Sequence, residues 1–502
     1  MKTRPLAVLL VALAAGSIGS VHAAGKEIDS VVPGTFAFGP MAIGQAKDLD
    51  YARAEGLGIV PGMPLDEYLN GVLAKLLAGS PVKKIPARAY VRASGDWAAR
   101  STADANIYLS LGILLRLDSE DEVAALLAHE ASHVILGHAN SDAVQRAQQR
   151  AIQLSSLAVD AQRAYADARG TKSTNGAALN ERSRIDEQSR VLLLNSALLS
   201  PSWTRGQERD ADRLGVDLMV RAGYSPQGMV TLLQKQKTYE TERAANPQAS
   251  ALDQQLLGFD ATDKGQQQIE KTQAKLGKNA ELFGALASAA LKGTKELVDK
   301  QLDQGGRSHP KTKERIGDVE EYLAKQYGDL DARQPDEESW EAAKDADGTV
   351  DVLENYIASI EAKGKLADGD VAAARPLAKS ALSGPTKAHA YPNYVDASVQ
   401  IAGGAASQAM ADYDAALAGP EPAGAIYTGI SALYFANGQA DKAVEVVEKG
   451  YARLQEPPSL AVPLIRAYRK AGRQGDADRL AAQCGLRWPS MQSLCSAEAK
   501  GP

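Results

Sequence analysis

The sequence predicts a mainly α chain of the α+β kind, with a small β-sheet in its first half and an array of helix pairs at its end. Three observations predict this. Aromatic residues make up only 5% while Ala, Leu, Gln and Lys abound, a composition that favours helix. Val123 to Leu136 is an apolar helical run. Beyond residue 351, Gly, Ala and Tyr recur at intervals of 34.

The bulk numbers set bounds. A chain of 502 residues has room for two or more domains. Hydrophobic residues at 44% and charged residues at 24% are ordinary for a globular protein. A net charge of −6 with no basic excess argues against a nucleic-acid partner. The chain opens with Met1-Lys2-Thr3-Arg4, an apolar stretch from Leu6 to Ile18, then Val21-His22-Ala23. That is the pattern of a signal peptide over 1–23, with cleavage expected after Ala23; an uncleaved anchor is the alternative. No later stretch reaches the ~18 apolar residues of a membrane span. The mature chain is therefore expected to be exported without a transmembrane span, and a peripheral association with a membrane stays open.

The elements follow in order. Residues 25 to 62 are Gly- and Pro-punctuated and carry no clear pattern. Pro64 opens a helix to Leu77 whose apolar residues are Leu69, Val72, Leu73 and Leu76. Ala87 to Arg92 alternates as a strand, Asp104 to Asn106 reads as a turn, and Ile107 to Leu115 reads as a second strand. That second strand would be either the edge where an extended peptide adds or plain sheet core. Ser119 and Glu122 form a capping box, and the helix they start is expected to continue past Gly137-His138.

That helix carries His129-Glu130-Ala131-Ser132-His133. Residues four apart share a helix face, so both imidazoles point one way and can grip one Zn²⁺, with Glu130 beside the open position. With six histidines in the chain, chance would give the pattern in roughly one such chain in a few hundred. Two surface histidines are the plain alternative. Against it, Leu126, Leu127, Val134 and Ile135 flank the pair, and buried imidazoles need partners.

Residues 141–199 read as a polar helical hairpin. Glu208 and Asp212 then lie four apart on a helix. Glu208 fits as the third ligand, and Asp212 as an acceptor for the second N–H of a ligand histidine. A solvated acid–base face is the competing reading. Residues 239–304 are again helical, with an amphipathic stretch from Ala280 to Leu297. His309 follows on a loop before a helix over Lys311 to Tyr327, and the acidic stretch from Asp329 to Val350 reads as a linker. His138, five after His133, reads as a neighbour of the site rather than a ligand, and His389 as a packing residue.

In the array, Tyr434 and Tyr468, Gly404, Gly438 and Gly472, and Ala409, Ala443 and Ala477 are each 34 apart. This is the tetratricopeptide pattern, with two clear repeats at about 422–455 and 456–488 and two degenerate ones in 351–421. A helical bundle without repeats is the alternative. Cys484 and Cys495 are expected to form one disulfide in an oxidising compartment. The expected organisation is a signal peptide at 1–23, a catalytic domain at 25–330, a linker at 331–350, repeats at 351–488 and a tail at 489–502.

Together, His129-Glu130-x-x-His133, Glu208-x-x-Ala211-Asp212 and Ser308-His309-Pro310 with Arg315 resemble the HtpX/CaaX-prenyl-protease family of zinc metallopeptidases. Within it the chain looks like the periplasmic, tetratricopeptide-bearing BepA-type branch. The resemblance covers about 55–330. It implies a zincin-type metalloprotease domain binding one Zn²⁺ per chain through His129, His133 and Glu208, with Glu130 as general base. It implies that His309 reaches the metal as a latency switch. The expected activity is hydrolysis of peptide bonds in envelope or outer-membrane proteins that are misfolded or stalled, with the repeats recruiting protein partners. The alternative is a chaperone or assembly factor whose protease is latent. The family's Asn-Ala-Phe-like strand before the active-site helix has no clean copy here.

Overall fold

A computed structural model describes residues 41–54, 58–80, 82, 84–140, 203–245, 312–330, 333–421 and 423–501. The signal peptide, His309, the Ala280–Leu297 stretch and the expected hairpin at 141–199 lie outside the described residues.

Helix α1 (Gln45–Ala54) and helix α2 (Pro64–Ala78) lead into three strands, β1 (Arg88–Arg92), β2 (Ala99–Ser101) and β3 (Asn106–Ser110). The sheet order is β1-β3-β2, with β1 parallel and β2 antiparallel to β3. The run from Ile107 to Leu115 is therefore not one strand. Ser110 closes β3 and its Oγ caps the amide of Ile113, so the run turns into a buried helical turn, α3 (Leu111–Leu114). An apolar run alone cannot separate strand from buried helix. β3 is central, with both edges taken, so it cannot accept an added peptide; β2, absent from the sequence reading, is an edge of this sheet. Asp48 on α1 accepts hydrogen bonds from Tyr108 Oη (2.6 Å) and Asn106 Nδ2 (2.7 Å), which fixes α1 to β3.

Helix α4 (Glu120–Ile135) is buried from Asp121 to its end. Ser119 Oγ accepts from the amide of Glu122, as expected. The reciprocal bond is shifted by one residue: the Glu122 carboxylate accepts from the amide of Asp118 and pairs with Lys235 at 2.9 Å. The helix does not continue through Gly137. Leu136 caps it, Gly137 takes φ +65, and a short 3₁₀ turn follows over His138–Asn140. That left-handed turn is tolerable at a glycine and stops the helix there.

Helix α5 (Arg205–Ala222), opened by Thr204 and Gln207 as a capping box and closed by Gly223 at φ +81, packs on α4. Helix α6 (Gln227–Ala245) and helix α7 (Thr312–Gln326) complete the layer. The segment read as a linker is no free spacer. It carries helix α8 (Glu337–Lys344), whose Trp340 is fully buried and donates Nε1–H to Leu117 O at 2.8 Å. One apolar core runs through α2, the sheet, α4 to α7 and Trp340, and continues to Tyr356 and Val399.

The array then consists of helix pairs: α9 (Val350–Ala367) with α10 (Val371–Ser380), α11 (Ala390–Ala402) with α12 (Ala406–Ala418), α13 (Gly424–Ala436) with α14 (Ala440–Arg453), and α15 (Pro458–Lys470) with α16 (Gln474–Arg487). The first helices of the last three pairs start at Ala390, Gly424 and Pro458, at the 34-residue spacing of the sequence period. Gly404, Gly438 and Gly472 all take φ between +71 and +82 at the turn within a pair. The first pair starts at Val350 and breaks the spacing. A terminal helix, α17 (Gln492–Lys500), covers the last pair, and a disulfide joins Cys484 to Cys495 beneath it. The array has its own core of small and aromatic residues, among them Ala409, Tyr413, Ala443, Leu460 and Ala477.

Helix α1 also touches the array. Tyr51 Oη donates to Glu456 O, Gln455 Nε2 donates to Asp50 at 2.7 Å, and Arg53 pairs with Glu421. Gly424 sits against Ala54 so closely that a Cβ there would lie 2.3 Å from Ala54 O.

Candidate metal centre

Two helices make the site. α4 supplies His129, Glu130 and His133, and the first turns of α5 supply Glu208 and Asp212. Gly215 explains how close they come: a Cβ at that position would lie 2.8 Å from Met229 Cε and 3.3 Å from the His129 amide nitrogen. A side chain there would displace the Met229 methyl and crowd the α4 backbone at His129.

His129 Nε2 and His133 Nε2 lie 3.1 Å apart, and each is 3.7 Å from a Glu208 carboxylate oxygen. All three side chains are buried. They form a group whose ligand atoms lie within 4.8 Å of one another and that could hold a metal ion. The far sides of the rings are occupied. His129 Nδ1 is 2.9 Å from Asp212 Oδ1, and His133 Nδ1 is 2.8 Å from His138 Nδ1. If each ligand ring holds its proton on Nδ1, both Nε2 lone pairs face one point, which suits a cation.

Charge balance points the same way. Burial alone would raise Asp212, but the Arg315 guanidinium, bound through Nε (2.8 Å) and Nη2 (2.6 Å), holds it below the usual carboxylate range. Arg315 Nη1 also pairs with Glu208 at 3.1 Å. Burial would lower Arg315, yet these two carboxylates raise it. One guanidinium thus faces two buried carboxylates, with Glu130 as a third acid nearby. A dication would offset that excess of negative charge.

The histidines differ. Burial pushes His129 down, but Asp212 outweighs it and the net shift is upward. Burial and the neighbouring His129 charge drive His133 well below its ordinary value. Burial lowers His138 to about 4. Glu130 is raised, by burial first and then by Glu208. His129 and the Ser101 hydroxyl of β2 oppose this, both favouring the charged form of the buried carboxylate. The donor set, the converging nitrogens and the surplus of buried acid together fit a resident divalent metal.

The model of peptidase family M48 matches residues 66–323. The chain belongs to peptidase family M48. The matched region holds every residue of the centre, and M48 is a metallopeptidase family. Among individual proteins, the chain is 27% identical over 229 residues to the beta-barrel assembly-enhancing protease of Escherichia coli K12, which is 44% of either chain. It is 27% identical over 177 residues to that of Yersinia pestis, covering 34% of this chain and 32% of the relative. A putative one from Vibrio cholerae is 24% identical over 165 residues, 33% of this chain and 31% of the relative. The chain thus matches less than half the length of these relatives.

His129, Glu130, His133, Glu208 and Asp212 come together as the motif spacing suggested. The sequence singles out Arg315 with Ser308-His309-Pro310 but gives it no partner, and Trp203 and the contact of His138 with His133 went unread. Trp203 stacks on His133 with ring centroids 4.3 Å apart. Its signal was its place five residues before Glu208, just ahead of the Thr204 cap. For Arg315 the signal was only its place after Ser308-His309-Pro310. Among the described residues, no helix is long and apolar enough to cross a membrane.

Proposed function

We propose that the chain is a zinc-dependent endopeptidase of the bacterial periplasm that cleaves misfolded or stalled envelope and outer-membrane proteins. The observation that carries this is the meeting of His129, His133 and Glu208, with the buried carboxylate of Glu130 close enough to feel both His129 and Glu208. Two histidines and a glutamate are a common catalytic zinc set. A zinc ion held there would supply Lewis acidity, acidifying a water and polarising a scissile carbonyl. Glu130 takes the proton of the attacking water and delivers it to the leaving amine. Asp212 holds the Nδ1 proton of His129 and so fixes that ring, while Arg315 keeps Asp212 and Glu208 in register. β2, as the sheet edge packed beside α4, is where an extended substrate could add as a strand.

The test is zinc quantification with a casein-type assay on the purified chain. Glu130→Gln should retain zinc and lose hydrolysis by about 10²–10⁴-fold. Hydrolysis at the wild-type rate would remove Glu130 from its role.

The name of the relatives, beta-barrel assembly-enhancing protease, favours a second reading, in which assembly of other proteins is the main task and the helix pairs, as tetratricopeptide repeats, recruit partners. In that reading His309 gates the metal. His309→Ala should then raise hydrolysis, and unchanged or lower activity would remove the gate.

A further inference from the structure

The loop between β1 and β2, residues 93–98, is clamped between the two halves of the molecule. On one side lies α3. Gly112 donates its amide to Ser94 O at 2.8 Å, and Ser110 Oγ donates to Asp96 O at 2.7 Å. A Cβ at Gly112 would lie 2.2 Å from Gly95 O and 2.5 Å from Asp96 O, so the loop backbone rests directly on that turn. On the other side lies α9, the first helix of the array. A Cβ at Gly95 would lie 2.8 Å from Ile360 Cγ2. Burial pushes Lys363, three residues along α9, below its ordinary range, and the Asp96 carboxylate pulls it back up. The same helix thus meets the loop twice.

We propose that Ile360 is a positioning residue for substrate: through Gly95 it fixes the loop that leads into β2, and so sets where that edge strand stands beside α4. The inference rests on the reading that an extended peptide adds to β2 and is cut at the metal centre. It adds that the first helix of the array is part of the apparatus that holds substrate.

The mechanics follow from packing. Packed interiors compress little, so a displaced atom moves its neighbours. The loop has no slack toward α3, where backbone meets backbone. It has none along the chain either. Ala98 donates its amide to Ser110 Oγ at 3.2 Å and accepts from the Ser110 amide at 2.8 Å, and Ala99 stands opposite Leu109 at the start of β2. Two residues later Ser101 is buried, with its hydroxyl close enough to Glu130 to favour the charged carboxylate. Contacts therefore run without a break from the array to the strand beside the general base. A misplacement of about 1 Å in a group that holds substrate can cost about a hundredfold in rate. His129, His133 and Glu208 stand on α4 and α5, outside this line of contacts, so zinc binding should not follow the strand.

The test uses the full chain loaded with zinc, a fluorogenic peptide of casein sequence, and hydrogen exchange read by mass spectrometry. Ile360→Ala adds no atoms and only removes the contact. It should raise KM about threefold with zinc content unchanged, and speed exchange across 94–101 while α4 keeps its protection. Gly95→Ala drives the loop against Ile360 and should raise KM about tenfold; adding Ile360→Ala should bring KM back to the level of Ile360→Ala alone. That rescue separates a steric contact from a general loss of stability. If Gly95→Ala does not fold, Ile360→Ala decides alone. A wild-type KM in Ile360→Ala, or wild-type exchange across 94–101, would overturn the inference. So would a Gly95→Ala defect that Ile360→Ala leaves in place. If the wild type with zinc bound cuts no peptide, the endopeptidase reading falls, and the exchange measurement still decides whether α9 holds the strand.

Discussion

His133 and His389 are both buried histidines, one in each half of the molecule, and their surroundings differ. His133 is ringed by His129, His138, Glu208 and the Trp203 plane, groups drawn from separate stretches of chain. His389 meets Tyr356 Oη at 3.3 Å, and burial alone lowers it to about 4. The first environment is built by convergence: Arg315 lies 103 residues from the Asp212 it grips. The second is built by repetition, with helix pairs packing on their neighbours at a fixed spacing. Where groups converge, each side chain has one position that works. Where pairs repeat, small residues at equivalent points share the task, and a change at one is felt mainly by its neighbours.

The largest effect expected in breaking this contrast lies at the border between the halves. Trp340→Ala should cost about 3–5 kcal/mol, because it empties a fully buried site and removes the hydrogen bond to Leu117 O. Thermal unfolding would read it; a melting temperature like the wild type's would mean that 333–349 is a spacer after all. Next comes the ring behind the ligand. His138→Ala should weaken zinc binding about 10–100-fold in competition with a chelator, since nothing then orients His133 from its Nδ1 side. Equal zinc affinity would show that Trp203 alone holds the ring.

The smallest effect sharpens the comparison from the array. His389 sits below its ordinary 6.5, so the folded protein takes up that proton later than the unfolded chain does. The stability it contributes is complete above about pH 6.5 and drains away as the pH falls toward 4. His389→Asn should therefore flatten the fall in melting temperature between neutral and mildly acidic pH, by on the order of 1–2 °C. The same fall in both proteins would show that another group titrates there.

What could be read in advance follows the same division. His129, Glu130 and His133 are visible because four-residue spacing on a helix is local information, and so are Glu208 and Asp212. The 34-residue period is visible because repetition is written along the chain. Arg315 is legible only as the close of the Ser308-His309-Pro310 motif, and its grip on Asp212 appears only when α7 lies against α5. β2 has only Ala99, Arg100 and Ser101, too short for any alternation to register. Trp340 was hidden by its company: Asp336, Glu337, Glu338 and Glu341 give the segment a solvated look, and one indole does the anchoring.

Helix α1 has a topological consequence. It belongs to the start of the described chain, yet Tyr51, Asp50 and Arg53 hold Glu456, Gln455 and Glu421 near its far end. The polypeptide is thus fastened back on itself, and the half that holds the candidate metal centre is joined to the array by more than the peptide bonds between them. A protease nick between Trp340 and Val350 would leave two fragments that still migrate as one particle.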